Sequence, residues 1–271
     1  MPSRFRARLE AWLPALVEAG PGNVHLAAWD LAEREPLGVA ADVAVPAAST
    51  IKVPIMAAAL TEVVAGRLGL SDTIPLKETR TGGTGVLDAL GHLDRLSLAD
   101  LLTLMVMVSD NAATNLVIET VGIAAVNAFC ERAGLTSTRL RRLLMDYEAR
   151  ARGLENTTSA RDQATVLEGL ANGTLLPPRL SAFAMEVLAA QQFNDRLPAL
   201  LPDDAAVAHK TGELSGIRHD VGVLTTPQGR RAVVAVLVTG LAGEPHSPTG
   251  AAAACRMVAE IGFACYRALS P

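Results

Sequence analysis

Strand-like sequence is confined to the two ends of this chain, and that separation limits the folds available to it. Near the amino end, Asn23–Asp30 and residues 37–45 are apolar runs joined by a charged turn, the pattern of an antiparallel hairpin. Near the carboxyl end, apolar runs at 206–211, 220–225 and 232–239 are separated by turn residues. We therefore expect the two ends to meet in one antiparallel sheet.

Between these strand-like segments the apolar residues recur with the period of an α-helix, from Ser49 to about residue 200. A last helical pattern covers about residues 250–269. The order of elements predicts an α+β fold with two lobes, and a cleft between lobes is the usual place for a binding site.

We assign residues 1–48 and 202–271 to a lobe that contains the antiparallel sheet and its flanking helices. Residues 49–201 form a second lobe that is entirely helical.

Composition excludes several classes of function. The chain has 271 residues, a net charge of −4 and 50% hydrophobic residues, so it can bury a core and has no basic surface for nucleic acid or an anionic membrane. No apolar stretch is long enough to predict a membrane span. We expect a monomer that acts on a small molecule without a cofactor.

The amino terminus predicts an amphipathic helix with Phe5, Leu9 and Leu13 on one face. It contains basic residues but no uncharged segment that leads to a small-residue cleavage site. A cytoplasmic location is therefore expected, or a periplasmic or secreted one if an export signal precedes this sequence. The three cysteines form an odd count and are expected to be free core residues.

The first motif with chemical meaning is Ser49-Thr50-Ile51-Lys52. Residues three apart share one face of a helix, so the lysine amine can reach the serine hydroxyl and take its proton. The neighbouring prolines place Ser49 at a helix start, where its backbone N–H is free to bind an oxyanion. Taken alone, the motif is more often a capping serine followed by a solvated lysine.

Two further motifs follow on separate segments. Ser109-Asp110-Asn111 comes after an apolar helix, where an ordinary N-cap would explain one of the three residues. Lys210-Thr211-Gly212 ends an apolar strand, where a lysine is otherwise a common surface charge. Gly212 allows a ligand to approach the backbone closely, and the next N–H, that of Glu213, would be a second oxyanion donor.

The three motifs in this order resemble the signature of the class A serine β-lactamases and penicillin-binding proteins. The resemblance also includes residues 83–87 (Gly-Thr-Gly-Val-Leu) and 109–115, and extends over roughly residues 20–268. It implies the β-lactamase/transpeptidase-like fold and a serine hydrolase that opens β-lactam amides.

The resemblance also implies roles for single residues. Ser49 would form the acyl-enzyme, and Lys52 would be its base or proton relay. Ser109 would pass a proton to the leaving nitrogen, and Asn111 would bind the substrate side-chain amide and orient Lys52.

Lys210 would hold Ser109 and the substrate carboxylate, which Thr211 would also contact. The backbone N–H groups of Ser49 and Glu213 would form the oxyanion hole. Arg218, a few residues beyond this motif, is a candidate for a further carboxylate anchor; the alternative is a surface strand charge.

One loop departs from the family pattern. Class A enzymes carry an Arg-x-Glu-x-x-x-Asn stretch whose Glu and Asn hold the water that hydrolyses the acyl-enzyme. With Arg142 as the anchor, Leu144 falls on the Glu position and Glu148 on the Asn position. Either Glu148, or in second place Asp146, partly takes the role of the base, or release of the acyl group is slow.

Three functions remain open at this point. The leading one is a β-lactamase-type hydrolase. The second is a carboxylesterase, a D-Ala-D-Ala-type peptidase or a slowly deacylating penicillin-binding protein on the same scaffold. The third is a non-catalytic sensor that is acylated once.

We predict no metal site, because the histidines show no ligand spacing beyond the lone His209/His219 pair and are expected to be structural; they are His25, His92, His209, His219 and His246.

Overall fold

The computed structural model describes residues 3–76, 81–241 and 248–270. The described helices are α1 (Arg4–Glu18), α2 (Lys52–Val64), α3 (Leu98–Met107), α4 (Asn111–Val121), α5 (Ile123–Arg132), α6 (Tyr147–Ala151), α7 (Ala160–Ala171), α8 (Pro178–Ala189) and α9 (Pro248–Leu269). The described strands are β1 (Asn23–Asp30), β2 (Leu37–Val39), β3 (Val45–Pro46), β4 (Thr73–Pro75), β5 (Arg95–Ser97), β6 (Thr157–Thr158), β7 (Ala206–Leu214), β8 (Ile217–Thr225) and β9 (Arg231–Thr239).

The two ends of the chain meet in a five-stranded antiparallel sheet of order β2-β1-β9-β8-β7. Strand β1 lies beside β9, with Asn23 opposite Thr239 and Asp30 opposite Ala232. The predicted α+β class and the sheet built from both ends are therefore confirmed.

The second strand of the predicted hairpin is shorter than the sequence suggested. It ends at Val39 because Ala40 has a φ of +43°, a left-handed conformation that no strand continues. The chain resumes an extended path at β3, which pairs with β6 and not with the main sheet.

The last strands are longer than predicted. Strand β7 continues through Lys210, Thr211 and Gly212 to Leu214, and β8 already begins at Ile217. Gly216, with a φ of +72°, allows the tight turn between them.

Side chains alternate between two hydrophobic layers along the sheet, as the two-residue period of a strand requires. In β9, Val234 and Val236 face the layer that α1 and α9 cover, whereas Val233 and Leu237 face the remaining helices. Residues 49–201 are not entirely helical as predicted, because the short strands β4, β5 and β6 lie among their helices. These helices and the main sheet share one core, and Ser49 lies at the edge of that contact.

Within the described ranges, no single helix is long and apolar enough to cross a membrane; the pair α4 and α5 passes that test only jointly and is bent by 81°. Cys130 and Cys265 are buried as expected, whereas Cys255 is half-buried and contacts Asp195 and Arg196.

Candidate active site

Ser49 lies in the 3₁₀ turn Ala48–Ile51, and the α-helix itself begins at Lys52. Ala48 has a φ of +47°, which costs a residue with a Cβ roughly 1–3 kcal/mol. The surrounding structure holds this strained turn in place: Ala47 N–H donates to Asn156 O at 2.8 Å. Ser49 is left half-buried at a cavity wall, while Lys52 is fully buried.

Strand β7 passes directly in front of this turn. A Cβ on Gly212 would lie 3.2 Å from Ser49 N and 3.0 Å from Thr50 Cγ2, so a larger residue would push the strand away. The close approach brings the backbone of Gly212 and Glu213 beside the N–H of Ser49, where two donors can face one oxyanion.

Lys52 is tied to the second motif by three hydrogen bonds. Its Nζ donates to Ser109 O at 2.7 Å, to Ser109 Oγ at 3.0 Å and to Asn111 Oδ1 at 2.9 Å. The amine is therefore shared by the two motifs that the sequence placed 57 residues apart.

Lys210 reaches the same hydroxyl from the sheet. Its Nζ donates to Ser109 Oγ at 3.1 Å and to Thr211 O at 2.8 Å, and the side chain is fully buried. Ser109 has a φ of +55°, and this conformation belongs to the turn that brings its side chain between the two lysines.

Both lysines are perturbed. Burial lowers the pKa of Lys52 well below its ordinary value, and the ammonium of Lys210 lowers it further. Burial also lowers the pKa of Lys210 to about 7, although the Asp220 carboxylate opposes that fall. A neutral amine is therefore accessible near neutral pH, as a base for a serine hydroxyl requires.

Asp110, the middle residue of the second motif, is structural. Its Oδ1 accepts the N–H of Ala113 at 2.9 Å as the N-cap of α4, and its Oδ2 accepts those of Val86 and Leu87 at 2.7 Å each. A Cβ on Gly85 would collide with this carboxylate. Asp110 thus fixes the position of residues 83–87, part of which lies in the cavity wall.

The loop from Arg139 to Ser159, called here the omega loop, is closed at its base. Asn156 Oδ1 accepts the N–H groups of Arg141 at 2.7 Å and Arg142 at 3.1 Å, and its Nδ2 donates to Arg142 O at 3.1 Å. Arg142 Nη2 also pairs with Glu155 Oε1 at 2.6 Å. These contacts set the path of the residues between them.

Leu144 is held by a second clamp. Its N–H donates to Asn115 Oδ1 at 2.8 Å, and its carbonyl accepts from Asn115 Nδ2 at 3.1 Å. The next residue, Met145, has a φ of +63° and packs so closely on Gly83 that a Cβ there would lie 2.9 Å from the sulfur. At this point of the omega loop, the apolar side chains of Leu144 and Met145 face the site.

Two cavities meet at Ser49. The strand-side cavity is lined by residues that include Ser109, Asn194, Arg196, Thr211 and Glu213. The loop-side cavity is lined by residues that include Asn111, Arg142, Leu144, Met145 and Glu155.

This arrangement can be compared with known proteins. The profile of the β-lactamase enzyme family matches residues 6–269. The chain belongs to the β-lactamase enzyme family.

Three similar proteins illustrate the range of this family. A β-lactamase from Sphaerobacter thermophilus is 31% identical, with a TM-score of 0.85 and coverage of 98% of both chains. The structure of PBP-A is 29% identical, with a TM-score of 0.84, and covers 96% of this chain and 95% of that one. The β-lactamase regulatory protein BlaB of Streptomyces cacaoi is 29% identical over 77% of this chain and 81% of that protein.

The chain is also similar to an enzyme of the class A branch. An ancestral class A β-lactamase is 28% identical, with a TM-score of 0.86, and covers 96% of this chain and 99% of that one. The fold is that of the class A β-lactamases, and the chain is a serine hydrolase of this type.

The structure brings most of the predicted family residues together. Ser49, Ser109, Thr211, Gly212 and Glu213 line the strand-side cavity, and Ser49 and Asn111 line the loop-side cavity. Lys52 and Lys210 lie behind them, hydrogen-bonded to Ser109.

Three predicted residues are not brought to the site. Glu148 is exposed on α6 and lines neither cavity. The guanidinium of Arg218 donates to Leu214 O at 3.0 Å and Ile217 O at 2.7 Å, so it serves the turn after β7. Asp146, the second choice for a base, caps α6 through the N–H of Ala149 at 2.8 Å.

Arg196 is a functional candidate that the motifs did not indicate. It is 3% exposed, lines the strand-side cavity and pairs with Glu213 at 2.5 Å. The sequence signal for it is a mostly polar run from Gln191 to Arg196 after the apolar helix α8. Only the fold shows that this run lies beside Thr211.

Within the described part of the chain, no cluster of three or more His, Cys, Asp or Glu side chains could hold a metal ion. His219 accepts the N–H of Val238 at 3.1 Å, and burial lowers its pKa to about 4, so it is a neutral structural residue. His246 lies outside the described residues.

Proposed function

We propose that this protein opens β-lactam amides at Ser49 and releases the acyl group slowly. Acylation is supported above all by the shared hydroxyl of Ser109, which is hydrogen-bonded to Lys52 at 3.0 Å and to Lys210 at 3.1 Å. This contact connects a base for the attack with a proton donor for the leaving nitrogen.

The proton of Ser49 moves along these hydrogen bonds during acylation. Ser49 Oγ attacks the lactam carbonyl carbon and gives its proton to the neutral amine of Lys52. The lactam C–N bond then breaks, an ester to Ser49 remains, and the nitrogen takes a proton from Ser109 Oγ. Ser109 recovers a proton from the Lys52 ammonium, 3.0 Å away.

The tetrahedral intermediate carries its negative charge on the former carbonyl oxygen. The N–H groups of Ser49 and Glu213 are its proposed donors, because Gly212 allows the strand to lie against the serine turn. Such a donor typically contributes about 3–4 kcal/mol to transition-state stabilisation.

The substrate carboxylate would bind in the strand-side cavity. Lys210 supplies a buried positive charge, Thr211 a hydroxyl and Arg196 a guanidinium that lines the same space. We assign the carboxylate to Arg196 and not to Arg218, because Arg196 lines this cavity whereas Arg218 does not and donates through Nη1 to the turn after β7.

We infer slow release of the acyl group from the state of the carboxylates that line the two cavities. Within the described residues these are Glu155, Asp195 and Glu213, and each is ion-paired with an arginine. A paired carboxylate is a weak base for a hydrolytic water. The position nearest the family's glutamate holds Leu144.

A second candidate is favoured by the same loop. An acyl-enzyme that persists suits a penicillin-binding protein, a peptidase or an esterase, and PBP-A is among the similar structures. Nitrocefin beside a panel of p-nitrophenyl esters separates the two candidates. Ester turnover without any acylation by β-lactams would exclude the first.

The test of the proposed function is to mix the protein with benzylpenicillin and follow the intact mass. The expected result is one covalent adduct that maps to Ser49 and persists over many minutes. Rapid return to the free mass would exclude slow release, and absence of any adduct would exclude acylation.

A further inference from the structure

Asp220 is a fully buried carboxylate that the proposed reaction does not use. It lies on β8 directly opposite Thr211 of β7. Its oxygens accept from His209 Nδ1 at 2.9 and 3.1 Å, and Oδ2 also accepts the N–H of Leu197 at 3.0 Å. A carboxylate only accepts hydrogen bonds, so Nδ1 of His209 carries a proton.

His209 extends this contact toward the cavity. Its Nε2 lies 3.0 Å from the side-chain amide of Asn194, which lines the strand-side cavity. Because Nδ1 carries the ring proton, Nε2 accepts a hydrogen bond from this amide when the amide nitrogen faces the ring. Leu197, which follows Arg196, is thus tied to Asp220 directly, and Asn194, two residues before Arg196, is tied to it through the imidazole.

Asp220 is also a counter-charge for the lysine of this cavity. Its carboxylate raises the pKa of Lys210, against the fall that burial causes. The other charged groups that face Lys210 are Lys52 on α2, Arg196 on the segment before β7, and Glu213 on β7. A buried charge without such compensation is expensive, so the carboxylate favours the cationic form of Lys210.

We infer that Asp220 is a positioning residue for carboxylate-bearing substrates, which it serves by holding Arg196 in the strand-side cavity through Leu197 and the His209–Asn194 link. This inference rests on the proposed function, because it presupposes that the substrate carboxylate binds there. The ligand class is an organic acid beside the scissile amide.

The test compares benzylpenicillin with its methyl ester, two substrates that differ in the carboxylate alone. The second-order rate constant of acylation is measured for both, and their ratio is the preference for the acid. Asp220→Asn keeps the size and an acceptor for Leu197 but removes the charge. We expect the preference to fall about tenfold, equivalent to about 1.4 kcal/mol.

A pH series adds a second readout. The loss of Asp220 lowers the pKa of Lys210 further, so Lys210 loses its charge at a lower pH. As pH rises, the preference for the acid should therefore decline with a lower midpoint in Asp220→Asn than in the wild type. A purely structural role would reduce acylation by both substrates equally and leave this midpoint unchanged.

Asp30→Asn is the matched control. Asp30 is another buried strand aspartate, 2% exposed and paired with Arg230 at 2.6 Å, and it lines neither cavity. It should lower the melting temperature without changing the preference for the acid. If Asp220→Asn does not fold, Asn194→Ala at an exposed position cuts the same link and should lower the preference in the same direction.

The outcomes are separable. An unchanged preference in a folded Asp220→Asn, or in Asn194→Ala when the first does not fold, overturns the inference. A wild-type protein that neither substrate acylates contradicts the proposed function instead.

Discussion

Lys52 and Lys210 share one hydrogen-bond partner, the hydroxyl of Ser109, at 3.0 and 3.1 Å. Two buried amines that contact the same hydroxyl repel each other when both hold a proton, so one is biased toward the neutral form. This single contact between the helical part and the sheet therefore positions both the base, Lys52, and the electrostatic anchor, Lys210.

The base role of Lys52 is tested by Lys52→Arg. Arginine keeps the positive charge but does not lose its proton, so acylation by benzylpenicillin should fall by at least about a hundredfold. In the wild type, the rate should rise with pH through a pKa well below 10.5. Stopped-flow measurement from pH 5 to 9 checks both, and an arginine variant with near-normal acylation would exclude the role.

Lys210 should lower the stability of the fold in a pH-dependent way. Its pKa falls from 10.5 in the unfolded chain to about 7 in the folded one, so between these values the unfolded chain binds more protons. The stability cost is complete below about pH 7 and disappears as pH rises toward 10.5.

Lys210→Met removes that cost. The variant should melt at a higher temperature than the wild type at pH 6, with a difference that shrinks by pH 9. Calorimetry at both values tests this, and a variant that is less stable at pH 6 would contradict it.

Leu144→Glu should shorten the life of the acyl-enzyme. The clamp from Asn115 fixes the backbone of Leu144, so a carboxylate at this position would enter the loop-side cavity beside Ser49. General-base catalysis typically contributes at least about a hundredfold, and we expect at least about tenfold here because the loop was not shaped for water.

Glu148→Gln is the control for that experiment. Glu148 is exposed and lines neither cavity, so its loss should leave the adduct lifetime unchanged. Intact mass spectrometry after removal of excess penicillin measures both variants. A longer adduct life in Glu148→Gln would instead support Glu148 as a base.

Arg196 and Arg218 form a matched pair for carboxylate binding. Arg196→Ala should raise the KM or the apparent dissociation constant for benzylpenicillin about tenfold or more, the usual effect of losing one charged hydrogen bond. Arg218→Ala should change it less than about twofold and mainly lower the melting temperature. The reverse pattern would identify Arg218 as the residue that binds the substrate carboxylate.

Much of this site was predictable because its residues lie in local motifs. Ser49, Lys52 and Lys210 each belong to a short pattern with its own chemistry, and the strand-like ends indicated that one sheet would bring them together. Arg196 and Asp220 belong to no motif, since their roles depend on contacts across the sheet that only the fold creates.

The turns were also beyond sequence reasoning. Ala48, Ser109 and Met145 have positive φ values although none is glycine, and tertiary contacts hold them there. Counting residues from Arg142 predicts a role for Glu148, but the turn at Met145 and the short helix α6 leave it on the surface.

Ser49 is proposed to be acylated readily and to release its acyl group slowly. The most direct measurement of this is the intact mass of wild-type protein and Ser49→Ala over time after mixing with benzylpenicillin. We predict a stoichiometric adduct that persists for many minutes in the wild type and never forms in Ser49→Ala. An adduct that also forms in Ser49→Ala, or one that disappears within seconds in the wild type, would contradict this account.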